Sequence, residues 1–186
     1  SAFRECEKNG RFDNFAIAAG IKKGEHRGDF SFDDTDPYKI IEGASYSLQA
    51  KANPALSKYL DTLIAYIAAA QEKDGYLYTF RTMNNSKPHE WMGTKRWEKE
   101  EDLSHELYNS GHLYEAAVAH YQATGKKTLL NIATKNADLL VKTFGWGKEE
   151  KFPGHQIVET GLTKLYRVTG KKEYLDLAKF FLDLRG

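Results

Sequence analysis

The sequence predicts an all-α fold of stacked helical hairpins. Three observations carry this: apolar residues recur at helical spacing in segment after segment, glycines stand where those segments stop, and one helix-to-helix junction occurs twice. Apolar side chains at i, i+3, i+4 and i+7 line one face of a helix, and a glycine just beyond can take the left-handed conformation that closes it. No segment shows a convincing strand alternation. A helix pair repeated every 40–45 residues stacks on its neighbours as a solenoid or a closed toroid.

Taken in order, residues 38–50 read as a helix, in which Gly43, Ala44, Ser45 and Ser47 would permit close helix contact. Residues 56–70 carry apolar side chains at 56, 59, 60, 63, 64, 67 and 70, with Asn53 as N-cap, Pro54 in the first turn and Gly75 beyond the end. Leu113, Ala116, Ala117, Val118 and Tyr121 form the next stripe, followed by Gly125; Leu129, Ile132, Ala133, Ala137, Leu140 and Phe144 form another, followed by Gly145. Ile157, Val158, Leu162, Leu165 and Val168 precede Gly170, and Tyr174, Leu175, Ala178, Phe181 and Leu182 complete the series. This gives roughly seven helices. Thr124-Gly125-Lys126-Lys127 recurs as Thr169-Gly170-Lys171-Lys172, from 124 to 169 or 45 residues on, each time after an aromatic helix end (Tyr121, Tyr166). Lys58-Tyr59-Leu60-Asp61 likewise echoes Glu173-Tyr174-Leu175-Asp176.

Residues 22–37 and 73–104 break the pattern. Long loops in compact domains are usually functional or disordered, and the many aromatics of the second argue against disorder. Both are expected on one rim of the helical array.

Composition narrows the function classes. The chain has 186 residues, 41% of them hydrophobic, enough for one domain or part of one. Lys plus Arg number 27 against 26 Asp plus Glu, so no basic excess points to nucleic acid. No apolar run approaches the ~18 residues of a membrane span, and residues 1–20 are too charged for a signal peptide. The compartment stays open between cytoplasmic and periplasmic or secreted. Cys6 is the single cysteine, which excludes a disulfide framework and a cysteine-based metal site within the chain.

Chemistry-bearing residues gather near two helix starts. In His105-Glu106-Leu107-Tyr108-Asn109-Ser110-Gly111-His112 the two histidines lie two turns apart on one face. They lack the i, i+4 geometry of a helical metal site, and spacing alone reads them as hydrogen-bonded helix histidines. Phe152-Pro153-Gly154-His155 opens the following hairpin, with His155 at or near its first turn. There the outward N–H groups suit a ligand hydroxyl or a developing negative charge, and equally an ordinary polar helix start. Glu159 stands where it would orient His155 or face water. Trp91, Trp97 and Trp146 lie in or beside loops, as stacking platforms or as plugs of the bundle. Asp33, Asp34 and Asp36 lack the order of a calcium loop, and Asp36 before Pro37 reads as an N-cap. His26, His89 and His120 have no evident partners. Of the glutamates Glu42, Glu106, Glu115 and Glu159, spacing selects no pair for acid–base work.

Arg11-Phe12-Asp13-Asn14-Phe15, Asp36-Pro37-Tyr38-Lys39, Ala68-Ala69-Ala70-Gln71 with Asp74-Gly75-Tyr76-Leu77, Arg96-Trp97, His105-Glu106-Leu107-Tyr108 with Gly111-His112-Leu113, Ala123-Thr124-Gly125-Lys126, Pro153-Gly154-His155 and Leu165-Tyr166-Arg167-Val168-Thr169-Gly170 follow one another along essentially the whole chain. In this order they resemble glycoside hydrolase family 127, the β-L-arabinofuranosidase type. The resemblance implies an (α/α)6 barrel followed by β-rich domains and a retaining hydrolysis of L-arabinofuranosides, such as those on plant glycans or glycoproteins. It implies a zinc-bound cysteine nucleophile, with glutamates as acid/base and further metal ligand. It also implies that His105 and His155 belong to the sugar-binding pocket, and Trp97 and Asp36 join them as substrate-binding candidates. The family's cysteine and glutamate constellation has no match here, and Cys6 corresponds to none of it. The chain is therefore expected to be an N-terminal half-barrel, about half of an (α/α)6 toroid, with a carbohydrate (an arabinofuranoside-containing glycan) as its partner. It would hold no catalytic residue, no metal ligand and no cofactor of its own, zinc being implied only for the full-length enzyme. The remainder of the barrel, or self-association, would cover its open edge. Unsaturated uronyl hydrolases and sugar epimerases share the architecture but fit the motifs less well. The rival reading is a non-catalytic helical-repeat scaffold binding protein or glycan on a concave face; it would scatter the histidines along an apolar groove.

Overall fold

The computed structural model describes residues 2–84 and 90–186. Among these residues it has nine α-helices: α1 (Ala2–Lys8), α2 (Asp13–Ala18), α3 (Thr35–Ala50), α4 (Pro54–Ala70), α5 (Thr79–Met83), α6 (Glu106–Thr124), α7 (Thr128–Thr143), α8 (Val158–Thr169) and α9 (Lys172–Arg185). Extended pairing among them is limited to one isolated bridge, Phe144 to Glu149. The six long helices are those whose stripes the sequence shows. The three extra ones have only 7, 6 and 5 residues, too short to display a period.

Local signals act as expected in α4, where the Asn53 side chain accepts the Leu56 N–H at 3.0 Å and Pro54 occupies the first turn. Helices α6 and α8 close on Gly125 and Gly170, at φ of 71° and 74°, a backbone region that glycine enters without a Cβ penalty. Helices α4 and α7 instead end on extended residues, Gln71 and Phe144, so Gly75 and Gly145 do not cap them. Asp36 is not an N-cap. The helix begins at Thr35, two residues earlier than an Asp36 cap would start it, which places Asp36 inside its first turn, and its carboxylate pairs with Arg11 at 2.7 Å.

The hairpins α3–α4, α6–α7 and α8–α9 stack side by side in two layers. Helix α6 packs against α3 on one side and α8 on the other; α4, α7 and α9 form the second layer, with α1 and α2 leaning on α3 and α4. Leu60, Ile64 and Ile67 of α4, Leu113 and Ala116 of α6, Leu129, Ala133 and Leu140 of α7, Leu162 and Leu165 of α8, and Tyr174 and Phe181 of α9 fill the space between the layers. Leu182, read as part of the last buried stripe, is 55% exposed.

Of the small residues of α3, Ala44 and Ser45 are buried on the helix that packs along α6, as expected, and the other two are not. Gly43 and Ser47 are exposed, and a Cβ on Gly43 would meet nothing. Where α6 crosses α8, a Cβ on Gly111 would stand 2.5 Å from Ile157 Cγ2 and 2.7 Å from the Val158 nitrogen, and one on Gly161 would stand 2.9 Å from the Gly111 carbonyl oxygen. The two backbones touch there, which fixes where α8 begins relative to α6.

Both irregular stretches meet at the end where α3, α6 and α8 start. Phe30 stacks on Trp91, Phe32 lies edge-on to His105, and Asp34 receives the Thr79 N–H at 2.8 Å and its hydroxyl at 2.6 Å. Asp34 thus holds the start of α5, within the stretch expected to be a loop. Asp33 receives the Phe30 N–H and faces Arg11 at 3.2 Å, so each carboxylate of the acidic run has a protein partner. His26 packs edge-on to Phe80, His120 is fully buried in α6, and His89 lies outside the described residues.

Candidate functional site

The site forms where three helix starts converge. His105 precedes α6 at φ 54°, a left-handed conformation costly for a residue with a Cβ. Its neighbour Glu106 turns inward and secures the bend: the carboxylate accepts the Trp97 N–H at 2.9 Å, the Ser104 hydroxyl at 2.9 Å and the Tyr76 hydroxyl, with Arg81 Nε at 3.7 Å. Glu100, fully buried alongside, accepts the Leu107 N–H at the head of α6.

One turn into α6, Tyr108 stands at the centre of an aromatic and imidazole cluster. Its ring lies 5.6 Å from His105, 4.6 Å from His112 and 4.6 Å from His155, with Phe32 at 5.9 Å. Lys39, from α3, donates to the Tyr108 hydroxyl at 2.8 Å. His155 reaches the cluster from a turn three residues ahead of α8, near its first turn but not within it. That turn is tied down by the Gly154 N–H to the Glu100 carbonyl at 3.0 Å and by Arg185 to the Pro153 carbonyl at 2.8 Å. Glu159 pairs with Arg185 at 3.0 Å, so His155 takes its orientation from Tyr108 instead.

Burial, reinforced by the charge of His155, lowers the pKa of His105. Burial, then Lys39 and His155, lowers that of His112 to about 4. Both rings are therefore neutral near pH 7, each able to donate from one nitrogen and accept at the other. The Nδ1 atoms of both are buried without a hydrogen-bond partner; spacing alone had read them as satisfied. The rim thus presents imidazoles, a phenol and an ammonium, groups suited to hydroxyl-rich ligands. The nearest carboxylates are engaged: Glu106 by its buried donors and Asp36 by Arg11.

Of the residues singled out in the sequence, His105 and His155 come together. Asp36 lies one turn ahead of Lys39 on α3 and borders the same rim. Trp97 does not face the cluster: it is 7% exposed and packed edge-on between Tyr76 at 5.3 Å and Phe144 at 5.4 Å, leaving no open ring face. Sequence reasoning passed over Tyr108, His112, Lys39 and Phe32 as site members. The signal was present for α6, since residues 105, 108 and 112 fall on one face at spacings of three and four. Among the described residues no three His, Cys, Asp or Glu side chains gather as a metal site.

Residues 1–186 match the model of the beta-L-arabinofuranosidase GH127 catalytic domain. The chain is 40% identical over 175 residues to the non-reducing end beta-L-arabinofuranosidase of Bifidobacterium longum subsp. longum, an alignment covering 93% of this chain and 26% of that protein. A solved GH127 beta-arabinofuranosidase superposes with a TM-score of 0.94 at 55% identity, over 99% of this chain and 29% of that one. The GH127 beta-L-arabinofuranosidase of Geobacillus stearothermophilus T6 superposes with a TM-score of 0.87 at 42% identity, over 96% and 27%. The chain therefore spans less than a third of the length of these relatives. Matched by the family model from its first residue to its last, it belongs to glycoside hydrolase family 127.

Proposed function

We propose that this chain is the N-terminal half-barrel of a retaining glycoside hydrolase acting on L-arabinofuranosides, and that its share of the work is to hold the sugar. His105 and His155 hydrogen-bond ring hydroxyls; the nucleophile and the acid/base come from elsewhere in the enzyme. The observation that carries this reading is the convergence of both imidazoles on Tyr108, at the rim where α3, α6 and α8 begin. A scaffold would have no need to gather these rings, one of them on a left-handed residue. The substrate class follows from the family and from what its named relatives hydrolyse. Asp36 contributes at the border of the site by fixing Arg11 beside Lys39, and Trp97 by closing the loop over Glu106.

Zinc, implied by the resemblance, is assigned to residues outside this chain. A zinc-binding cysteine must ionise, whereas Cys6 is buried and its thiol is pushed up to about 11, by burial and then by Asp36.

In the complete enzyme, His105→Ala and His155→Ala should each lower kcat/KM on an aryl β-L-arabinofuranoside by roughly ten- to a hundredfold, the loss expected when a polar site is left unsatisfied, with bound zinc unchanged. His120→Ala, in the core, should lower the melting temperature and leave kcat/KM per folded enzyme intact. Wild-type kcat/KM in both rim variants would overturn the reading.

A further inference from the structure

Nothing hydrogen-bonds the three imidazoles of the rim among the described residues; His105 and His112 even bury an unpartnered Nδ1. Their orientation must come from packing. The ring all three share is Tyr108, touched by His112 at an interplanar angle of 90°, by His105 at 57° and by His155 at 53°. That ring is itself fixed on three sides. It grows from the first full turn of α6, Phe32 closes it edge-on, and Lys39 reaches across from α3 to its hydroxyl, the ammonium lying 5.1 Å from the ring centre. Residues from three separate segments, before α3, in α6 and before α8, therefore take their mutual geometry from one side chain.

We propose that Tyr108 is the positioning residue of the sugar site, and that Lys39 locks it. The inference rests on the reading of His105 and His155 as sugar ligands and goes beyond it: these two rings act as a pair because Tyr108 sets their separation. Without that ring His155, on an exposed turn, is free to rotate away, and His105 opens to water. The aromatic ring does the positioning, while the hydroxyl serves only to receive Lys39.

The test is a variant series in the complete enzyme, each member checked for folding by its melting curve. Tyr108→Ala should cut kcat/KM on the aryl arabinofuranoside by about as much as His155→Ala, roughly ten- to a hundredfold. The double variant Tyr108→Ala/His155→Ala should lose little more than either single change, as expected of side chains acting as one unit. Tyr108→Phe and Lys39→Met, which keep the ring but remove its lock, should each fall between wild type and Tyr108→Ala, about three- to fivefold below wild type. Tyr108→Leu fills the space without an aromatic face; it keeps the fold should the alanine variant fail to fold, and it should behave like alanine. A readout that mere loss of stability would not move is the titration of His105 in histidine-labelled enzyme. Its lowered pKa should rise toward that of free histidine in Tyr108→Ala, which opens the ring to water, and stay low in Tyr108→Phe. Additive losses in the double variant, an unmoved His105 titration, or normal kcat/KM in Tyr108→Leu while His105→Ala and His155→Ala remain impaired would each overturn the proposal alone. Normal kcat/KM in His105→Ala and His155→Ala would remove the sugar reading and this inference with it.

Discussion

Beneath the rim, Glu100 and Glu106 lie side by side with the Ser104 hydroxyl between them, 3.2 Å from the first and 2.9 Å from the second. Both are buried, and desolvation raises both pKa values, that of Glu100 further because Glu106 stands next to it. Glu106 is surrounded by donors and has Arg81 nearby, so it keeps the charge. Of the two, Glu100 is the one whose protonation burial favours more, the Ser104 hydroxyl lying within donating distance of both carboxylates. The sign of the resulting pH dependence follows. A carboxyl with a raised folded-state pKa contributes stability below its unfolded value, and that contribution is lost as pH rises through the folded value. Asp34, pushed up to about 6 by burial, acts in the same direction. The melting temperature should therefore fall as pH rises above about 5, and Glu100→Gln, which mimics the protonated acid, should flatten much of that slope. A Glu100→Gln profile parallel to wild type would mean that Glu100 is ionised throughout. Glu106→Gln turns an amide toward donors and should cost about 3 kcal/mol, read by denaturant unfolding. None of this was legible in the sequence. Glu106 was seen only as a helix glutamate, because its partners lie at positions 76, 81 and 97, brought close by a loop without periodicity.

At the scale of elements, two glycines have opposite meanings. Gly43 sits in the middle of α3 with open space where a side chain would go. Gly43→Ala should stabilise the chain by about 0.5–1 kcal/mol, from helix propensity alone. Gly111 sits in α6 against the start of α8, where a methyl group would overlap Ile157 and the Val158 nitrogen. Gly111→Ala should destabilise by about 1–3 kcal/mol and, in the complete enzyme, lower kcat/KM by moving His155 off Tyr108. Thermal melts of the two variants give shifts of opposite sign on this account; a neutral Gly111→Ala would show that the crossing can relax. The sequence invites the reverse reading, since a cluster of small residues around Gly43 looks like a contact face. A contact glycine is identified by what lies across from it, and that is a tertiary fact. The long helices were legible because burial imposes a period on them. Helix α5 was not, since its N-terminal partner, Asp34, stands 45 positions away in the chain.

At the scale of the whole molecule, periodicity and the repeated Thr-Gly-Lys-Lys junction were enough to give stacked hairpins, because a hairpin that cannot bury its own face must borrow its neighbour's. They could not show that the starts of α3, α6 and α8 converge, which depends on the Gly111–Gly161 crossing. The stacking also leaves apolar surface uncovered. Trp146 is 62% exposed, propped edge-on against Phe180 at 5.1 Å, at the mouth of a cleft of about 450 Å³ between α7 and α9. Leu182 is 55% exposed on α9, while Tyr174, Leu177 and Phe181 of the same helix face inward. Exposed apolar surface of this kind promotes association. The isolated 186-residue chain should self-associate, with an apparent mass in light scattering that rises with concentration. Because the contact is apolar, added salt should not dissolve it, and Trp146→Ser combined with Leu182→Lys should shift the equilibrium toward monomer. If the isolated chain stays monomeric up to high concentration with a sharp thermal transition, this face is tolerated by water, and the exposed side chains are scattered surface residues with no part in association.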